Sequence, residues 1–350
     1  MKSNKLRVGI VGSKFAANLH AKAYERCNNV EISAVASIDG LEEFANTYNI
    51  KSKYSDYNMM FKSEKLDLIS VCVPNFLHKE VTIAAAKAGI KAIICEKPIA
   101  TTLEDAKEMI EVCNKNKVKL MYAEDWIFAP ALKRAESIYN EGAIGDALFL
   151  KAKETHSGSH SPFAQKIKTC GGGAMIHLGI HPIGWVRWFK KKEVKEVIGR
   201  VSGGKENNLK HKNFEGEDWS AAILTFSDNT HAIVEGNYIT CGGLDDMIEI
   251  YGTKGVIKVK LSLGSPISVF SLDGYSYAVE KAETTVGWTR PAVDEEAELG
   301  YEKEIKYFVD CVLNDKEPIF GVRGEDGLKA LEIVSAIYKS AREGKLVSLK

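Results

Sequence analysis

The sequence predicts an α/β fold in two parts: a doubly wound parallel sheet, followed by an α+β region built on a largely antiparallel sheet. Three observations predict this fold. Strand patterns alternate with helical patterns as far as residue 122. Beyond that point strand patterns follow one another and are joined by hairpin turns. The chain has 350 residues, more than a single hydrophobic core usually serves, so we expect two domains, residues 1–122 and 123–350.

The first part contains five short apolar strands and four helical patterns. The strands are residues 6–11, 30–36, 67–73, 91–95 and 117–122, and the helices are residues 15–27, 41–48, 78–88 and 103–115. This alternation is typical of parallel strands joined by right-handed crossovers. Ligands of such sheets bind beyond the carboxyl ends of the strands, so the residues directly after each strand are the candidate binding residues.

Gly12 follows the first strand and opens the first helix. A glycine turn in this place is part of the fingerprint of a dinucleotide-binding Rossmann sheet, in which amides at the helix N-terminus bind the pyrophosphate. Lys14 stands in place of the second fingerprint glycine, and Ala17 in place of the third. Ala is an accepted substitute there, whereas Lys14 adds a side chain that could pair with a phosphate. The predicted cofactor contacts are Gly12, Ser13, Lys14, Phe15 and Ala16.

The end of the second strand bears on the choice of cofactor. An acidic residue there normally binds the adenosine ribose, but Ser37 occupies that place and Asp39 follows two residues later. No arginine follows that could bind a 2′-phosphate. We therefore predict NAD as the cofactor, with NADP as the other candidate, and assign Ser37 and Asp39 to its site. The alternative for Asp39 is a cap of the helix that begins near Leu41.

Charged and polar residues follow the next two strands. Pro74 and Asn75 end the third strand, and His78 begins the helix after it, so all three are candidate cofactor contacts. Glu96-Lys97-Pro98 follows the fourth strand. A lysine there can contact a substrate hydroxyl while a cofactor lies across the same edge of the sheet. The alternative for Lys97 is a solvated lysine in an ordinary turn.

The second part begins with a helix over residues 126–139, with Pro130 near its start. Strand patterns follow at residues 147–153, 194–201, 219–227, 229–239, 245–251 and 254–261, and helices at residues 299–313 and 325–343 end the chain. Asp228-Asn229 joins two of these strands and Gly252–Gly255 joins two others, which is the pattern of an antiparallel sheet.

Four histidines lie close together in the sequence of the second part. His177 and His181 are four residues apart at the start of a predicted helix, which would place both on one helical face. Trp185 and Trp188 continue this helix and are predicted to be packing residues. A histidine pair at this spacing can also bind zinc, with His156 or His160 as a third ligand. Catalytic, metal-binding and structural roles therefore stay open for the pair.

Taken in order, these motifs resemble the Gfo/Idh/MocA oxidoreductase family. The resemblance is carried by the Gly12 turn, Val73-Pro74-Asn75-x-x-His78, Glu96-Lys97-Pro98 and the stretch 171–182, and it spans nearly the whole chain. It implies an open C-terminal sheet with helices on one face. It also implies oligomer contacts on the other face, so we expect a homo-oligomer, a dimer or a tetramer.

The resemblance implies an NAD(P)-dependent oxidoreductase that transfers hydride between nicotinamide and a hydroxyl-bearing carbon of a sugar, glycoside or polyol. It identifies His181 with the catalytic histidine of the family, and we expect this residue to act as general base because its ordinary pKa lies near neutrality. Lys97 would stabilise the developing alkoxide, and Glu96 would position Lys97 and contact the nicotinamide ribose, so both residues are also predicted cofactor contacts. His177 stands where many members have aspartate, and we include it in the catalytic set. The predicted substrate contacts are Asp125, Trp126, His156 and His160.

The sequence leaves more than one substrate and more than one mechanism open. The stretch 154–160 is similar to a segment of family members that oxidise glucosides at C3. The other readings are a glycosidase that retains NAD and uses transient oxidation, a non-catalytic sugar or nucleotide sensor, and a metal-dependent enzyme. A sensor needs neither Lys97 nor His181, so the presence of both argues against that reading.

Composition narrows the class of partner. Formal net charge is zero and basic residues are not interleaved with aromatic ones, so we expect no nucleic-acid partner. The sequence has neither a signal-peptide pattern nor an apolar run of about 18 residues, so we expect no membrane partner. Seven scattered cysteines without CxxC pairs indicate a reducing compartment, the cytoplasm.

Overall fold

The computed structural model describes residues 5–159, 161–261, 269–274, 284–289 and 295–349. By compactness the chain divides into one unit of residues 1–128 and 300–329 and a second of residues 129–299 and 330–350. This division differs from the predicted boundary at residue 122, because the chain returns to its first unit near the C-terminus. The assignment of cofactor and substrate binding to separate domains stays a prediction.

The first unit is built on six parallel strands in the order β3-β2-β1-β4-β5-β6. Its elements are β1 Leu6–Val11, α1 Phe15–Glu25, β2 Val30–Ala36, α2 Leu41–Thr47, β3 Ser52–Tyr54, α3 Tyr57–Ser63, β4 Leu68–Val71, α4 His78–Lys87, β5 Ala92–Cys95, α5 Leu103–Lys115 and β6 Lys119–Tyr122. The predicted doubly wound sheet is confirmed. Its strand order reverses between β1 and β4, and a crevice at such a point is where ligands bind in folds of this class.

Burial explains which strands the sequence revealed. Every residue of β4 and β5 is buried, so both strands read as continuous apolar runs. Strand β3 was not predicted because it is a three-residue edge strand, Ser-Lys-Tyr, with no apolar run. Helix α3, which follows β3, was not predicted either. Its N-cap is Asp56, whose side chain accepts a hydrogen bond from the Asn58 amide.

The segment that returns to the first unit packs on both α1 and β6. Helix α11, Tyr301–Leu313, lies against α1 and buries Ile305 and Phe308 completely. After it, the Tyr122 amide donates a 2.9 Å hydrogen bond to the Val322 carbonyl, which extends the edge of the sheet. These contacts join residues that are far apart in the sequence, and no local pattern indicates them. The predicted first domain therefore did not include residues 300–329.

The second unit contains a seven-stranded sheet in the order β12-β11-β7-β10-β9-β8-β15. Its strands are β7 Ala147–Thr155, β8 Val194–Val201, β9 Trp219–Phe226, β10 His231–Asn237, β11 Met247–Gly252, β12 Val256–Lys260 and β15 Val347–Ser348. All neighbours are antiparallel except β10 and β7, which pair in parallel. The predicted largely antiparallel sheet and both hairpins are confirmed.

The remaining elements are helices and one small hairpin. They are α6 Pro130–Asn140, α7 Ile167–Cys170, α8 Ala174–His177, α9 Ile180–Lys190, β13 Val269–Ser271, β14 Gly287–Thr289, α10 Glu295–Leu299 and α12 Gly324–Glu343. Helix α6 begins at Pro130 and not at Trp126 as predicted, because proline is favoured at the first helical position. None of the helices in the described ranges is long and apolar enough to cross a membrane.

The sheet of the second unit has one covered face and one open face. Helices α8 and α9 pack on β7, β9 and β10. Along β9 burial alternates: Ala222 and Leu224 are buried, whereas Ile223 between them is 46% exposed. Trp185 and Trp188 of α9 are buried and form an aromatic cluster with Phe189, which confirms them as packing residues.

Candidate active site

The turn between β1 and α1 can be made only by glycine. Gly12 has φ of +116°, and a Cβ there would lie 2.2 Å from the Cys72 carbonyl oxygen. The first turn of α1 contains no acidic residue, and its N-cap, Lys14, makes no side-chain cap hydrogen bond. The amides at this end of an eleven-residue helix therefore suit the negative charge of a pyrophosphate, and the turn fits a dinucleotide cofactor.

A small polar cluster ties the end of β2 to this turn. Lys14 Nζ lies 2.9 Å from an Asp39 carboxylate oxygen, and this hydrogen bond holds the pKa of Asp39 below its ordinary value. Ser13 Oγ lies 3.0 Å from Ser37 Oγ, and Ser37 donates to the Asp39 carbonyl. Gly40, in the left-handed conformation, is the N-cap of α2 and no side chain caps that helix. The alternative in which Asp39 caps the helix is therefore wrong.

His78 braces two turns of the first unit. Its ring nitrogens lie 2.8 Å from the Pro98 carbonyl and 2.9 Å from the Val73 carbonyl, and burial lowers its pKa. Because both nitrogens are engaged within the protein, a cofactor contact by His78 would have to use its ring carbons. Pro74 and Asn75 precede it, at the start of a 3₁₀ turn. The cofactor contacts of these residues stay predictions.

Glu96 is a buried carboxylate held at both oxygens. One oxygen lies 3.0 Å from His20 Nε2, and the other accepts a 3.1 Å hydrogen bond from the Lys97 amide. Burial acts to raise the pKa of Glu96, but the hydrogen bond from His20, together with positive charge that includes Lys97, outweighs it and holds the pKa below its ordinary value. The side chain of half-buried Lys97 therefore leaves from a turn fixed by an ionised neighbour, directly after β5.

Asp125 and Trp126 follow β6 at the same edge of the sheet. Both are buried in the 3₁₀ turn Asp125–Phe128. The structure thus gathers the predicted residues of the first unit at the carboxyl ends of β1, β2, β4, β5 and β6. This is the edge at which ligands of doubly wound sheets bind.

The histidine pair of the second unit does not lie on one helix, contrary to the prediction. Helix α8 ends at His177, and α9 begins at Ile180 after a break at Leu178 and Gly179. Pro182 has no amide proton to donate to the carbonyl four residues earlier, so an unbroken helix would lose that hydrogen bond. The break also lets β10 approach, because a Cβ on Gly236 would lie 2.7 Å from the Gly179 nitrogen.

The two histidines consequently have different surroundings. His181 is buried, and its Nε2 lies 4.0 Å from a carboxylate oxygen of Glu154 at the end of β7. His177 Nδ1 lies 2.5 Å from the Tyr238 hydroxyl, and buried His156 packs against the same tyrosine ring at 5.9 Å. In the part of the chain that the structure describes, no trio of metal-ligand side chains contains both members of the pair. His160 lies outside the described residues.

The glycine run before α8 is packed against a buried Glu–Tyr pair. A Cβ on Gly173 would lie 2.1 Å from the Glu217 carbonyl oxygen. Tyr338 donates a 2.9 Å hydrogen bond to the Glu217 carboxyl and accepts from the amides of Gly173 and Ile176, and the same carboxyl oxygen accepts from the Met175 amide at 2.9 Å. Burial raises the pKa of Glu217 from 4.5 to about 7. This pair fixes the start of the segment that ends at His181.

Sequence reasoning missed several polar residues that hold the candidate residues in place within each unit. They are His20, Ser70 and Tyr24 in the first unit and Glu154, Glu217, Tyr238 and Tyr338 in the second. The only local signal is a polar side chain in an otherwise apolar element, as with His20 on the buried face of α1 and Ser70 in β4.

Two family models match the chain. The model described as "Oxidoreductase family, NAD-binding Rossmann fold" matches residues 6–124, and the model described as "Oxidoreductase family, C-terminal alpha/beta domain" matches residues 140–349. The chain belongs to the Gfo/Idh/MocA oxidoreductase family. It therefore has an NAD-binding Rossmann domain, as predicted from the Gly12 turn.

Individual relatives match over nearly their full length. The chain is 27% identical to D-apiose dehydrogenase of Paraburkholderia graminis, over 99% of this chain and 90% of that protein. It is 26% identical to myo-inositol 2-dehydrogenase of Thermotoga maritima, over 99% of each. The solved structure of GenD2 from gentamicin A biosynthesis, in complex with NAD, superposes with a TM-score of 0.90 at 21% identity, over 99% of this chain and 97% of that one. That last likeness shows the fold.

Proposed function

We propose that the protein oxidises a hydroxyl-bearing carbon of a sugar, glycoside or polyol with NAD(P), and that Lys97 and His181 act on that hydroxyl. The observation that carries the proposal is the place of Lys97, on an anchored turn at the same sheet edge as the Gly12 turn. The relatives named for apiose and myo-inositol, one a sugar and the other a polyol, support the substrate class.

The cofactor would lie along the carboxyl edge of the first sheet. Its pyrophosphate suits the first turn of α1, with Gly12, Ser13, Lys14, Phe15 and Ala16 around it, and Ser37 and Asp39 suit its adenosine ribose. Pro74, Asn75 and Glu96 would line the nicotinamide end. When bound, the nicotinamide ring accepts the hydride that leaves the substrate carbon.

The two proposed catalytic side chains divide the work on the hydroxyl. His181 would remove the proton as the general base, and the Glu154 carboxylate 4.0 Å from its ring would stabilise the imidazolium that forms. Lys97 would stabilise the developing negative charge on the oxygen through its ammonium group.

The other hydroxyls of the substrate need polar partners. Asp125, Trp126, His156 and His177 are our candidates, since a carbohydrate offers donors and acceptors on every carbon. The His177 ring is oriented by Tyr238, so it would present a fixed edge to a substrate hydroxyl. His160 remains a candidate from the sequence alone.

A substrate screen tests the function. Wild type, Lys97→Met and His181→Ala would be incubated with NAD or NADP and a panel of hexoses, pentoses, methyl glucosides, inositols and sugar acids, and reduced cofactor would be measured. We expect one class to give reduced cofactor with wild type only. Release of an aglycone without added cofactor would replace this proposal by the NAD-retaining glycosidase, and loss of activity on chelation would favour the metal-dependent enzyme.

We further propose that the open face of the second sheet joins copies of the chain. Ile198 of β8 and Ile223 of β9 are cross-strand neighbours, and each is 46% exposed. Light scattering coupled to size exclusion should give a dimer or tetramer for wild type and a smaller species for Ile223→Glu. A matched control is Leu313→Glu, the same kind of change at an exposed apolar residue of helix α11 in the first unit. A wild-type monomer would contradict the proposal.

A further inference from the structure

We propose that Tyr24, Ser70 and His20 form a buried chain of hydrogen bonds that positions Glu96 and, through it, Lys97. This inference rests on the proposed function, in which Lys97 contacts the substrate hydroxyl. It adds three positioning residues, none of which would touch substrate or cofactor.

The chain crosses the interior of the first unit without a break. Glu96 Oε1 lies 3.0 Å from His20 Nε2, His20 Nδ1 lies 2.9 Å from Ser70 Oγ, and Ser70 Oγ lies 2.7 Å from the Tyr24 hydroxyl. His20 and Ser70 are fully buried, Tyr24 is 1% exposed and Glu96 is 6% exposed. The members come from α1, β4 and the turn after β5, so three elements converge on one carboxylate.

One arrangement of protons satisfies every link of the chain. The Glu96 carboxylate can only accept, so His20 donates from Nε2. Ser70 then donates to His20 Nδ1, and Tyr24 donates to Ser70. Burial raises the pKa of Tyr24 far above its ordinary value, so the phenol at the end of the chain keeps the proton it donates. The Ser70 hydroxyl thus donates once and accepts once, which fixes the ring orientation of His20.

The fixed carboxylate in turn fixes the backbone of Lys97. The second oxygen of Glu96 accepts the Lys97 amide at 3.1 Å, so the carboxylate cannot rotate without breaking hydrogen bonds at both oxygens. A buried carboxylate that is fixed by a hydrogen bond at one oxygen and accepts a neighbouring amide at the other acts as a positioning element, as an aspartate does when it orients a catalytic histidine.

His20 also keeps Glu96 charged. Other titratable groups interact with this carboxylate: Lys97 beside it, His78 of α4, Cys72 after β4, Cys95 of β5, Tyr122 of β6 and Glu304 of α11. Burial and the charges of Asp125 and Glu96 raise the pKa of Glu304 well above its ordinary value. Without His20, burial would raise the pKa of Glu96 as well, and Lys97 would lose the negative charge beside it.

The experiment measures the titration of the Lys97 amine in the full-length protein. Trace acetylation with acetic anhydride over a range of pH, followed by mass spectrometry of the Lys97 peptide, gives the midpoint for wild type and for each variant without any substrate. His20→Leu removes the donor, His20→Gln supplies a donor and an acceptor of similar reach, and Tyr24→Phe removes the last link. The matched control is Tyr48→Phe. It deletes a hydroxyl that donates to Asn18, a residue of α1 that is not part of the hydrogen-bond chain.

We expect His20→Leu to lower the Lys97 midpoint by about one pH unit, and Tyr24→Phe to lower it by less. His20→Gln should restore most of the wild-type value, and Tyr48→Phe should not change it. Tyr24→Phe keeps the packing of the ring, so it tests the proposal even where His20→Leu fails to fold. Wild-type midpoints in both His20→Leu and Tyr24→Phe would overturn the proposal.

Turnover separates this inference from the proposed function. On the substrate found in the screen, His20→Leu should lower kcat about tenfold with the KM for NAD nearly unchanged, and His20→Gln should recover it. If Lys97→Met abolishes turnover while His20→Leu retains the wild-type kcat and Lys97 midpoint, the proposed hydrogen-bond chain does not position Lys97, and the proposed function stands. If Lys97→Met retains turnover, the proposed function fails. The Lys97 midpoint in the His20 and Tyr24 variants still decides whether the hydrogen-bond chain acts on Lys97 through Glu96.

Discussion

The turn that bears Lys97 and the segment that ends at His181 are both held by a buried carboxyl group, but the two carboxyls differ in charge. Glu96 has a histidine partner, and its pKa is held below the ordinary value. Glu217 accepts hydrogen bonds from backbone amides and from the Tyr338 phenol, and burial raises its pKa to about 7. At Glu217 the hydrogen bonds lower the pKa less than burial raises it, whereas at Glu96 the His20 hydrogen bond and the positive charge of Lys97 help to outweigh burial. The contribution of Glu96 to stability, which we call the first support, should be constant across neutral pH. The contribution of Glu217, the second support, should fall as pH rises.

The largest expected effects are on the proposed catalytic side chains themselves. Lys97→Met and His181→Ala should each lower kcat by about 100-fold or more, because each removes a group that acts on the reacting hydroxyl. NAD affinity, measured by calorimetry, should stay within about twofold of wild type. A variant that keeps more than about half of the wild-type turnover would remove that residue from the catalytic set. The two regions would then no longer both bear a catalytic residue.

The pH dependence of stability should distinguish the two supports. The folded protein binds more protons at Glu217 than the unfolded chain between its ordinary pKa of 4.5 and about 7, so its contribution falls as pH rises through that window. The full effect is up to about 3 kcal/mol in the free energy of unfolding. Glu217→Gln should remove this slope, measured by urea unfolding at several pH values.

Two controls sharpen that test. Glu215→Gln, two residues away, should leave the slope unchanged. Glu96→Gln should leave it unchanged as well, because a carboxyl with a lowered pKa contributes above its unfolded pKa and loses that contribution only as pH falls below it. A slope that disappears in Glu96→Gln but persists in Glu217→Gln would reverse the comparison.

Deleting one phenol hydroxyl from the second support should have a smaller effect. Tyr338→Phe leaves the buried amides of Gly173 and Ile176 without the oxygen they share, which costs about 1–3 kcal/mol. It also removes a hydrogen bond from Glu217, so the pH window in which stability falls should extend higher. Thermal unfolding of Tyr338→Phe at pH 6 and pH 8 measures both effects. A variant as stable as wild type at both pH values would mean that this hydroxyl does not support the segment.

The smallest expected effect is on the choice of cofactor. The Asp39 carboxylate should disfavour a 2′-phosphate, but Lys14 beside it partly neutralises this charge, so we expect a modest preference for NAD. Asp39→Asn should lower the ratio of NAD to NADP affinity about fivefold, and Lys14→Met should raise it. Binding isotherms for both cofactors give the ratios. Tighter binding of NADP than NAD to wild type would overturn the choice of cofactor.

The same two regions show how far the sequence could be interpreted. The places of Gly12 and Lys97 were predictable because parallel strands end at one edge and each strand was an apolar run. The break between α8 and α9 was not predicted, although Pro182 signalled it, since the histidine spacing matched a helix. The His20–Glu96 and His20–Ser70 contacts join residues 76 and 50 positions apart, and no local periodicity indicates such pairs.

Direct transfer of deuterium from substrate to cofactor tests the central claim most directly. Wild-type protein would be incubated with NAD and a panel of sugars, glycosides and polyols deuterated at their carbinol carbons, and the reduced cofactor would be analysed by mass spectrometry. The account predicts that one substrate class yields reduced NAD carrying one deuterium, and that Lys97→Met and His181→Ala yield almost none. Oxidised product without deuterium in the cofactor, or equal labelling by both variants, would contradict it.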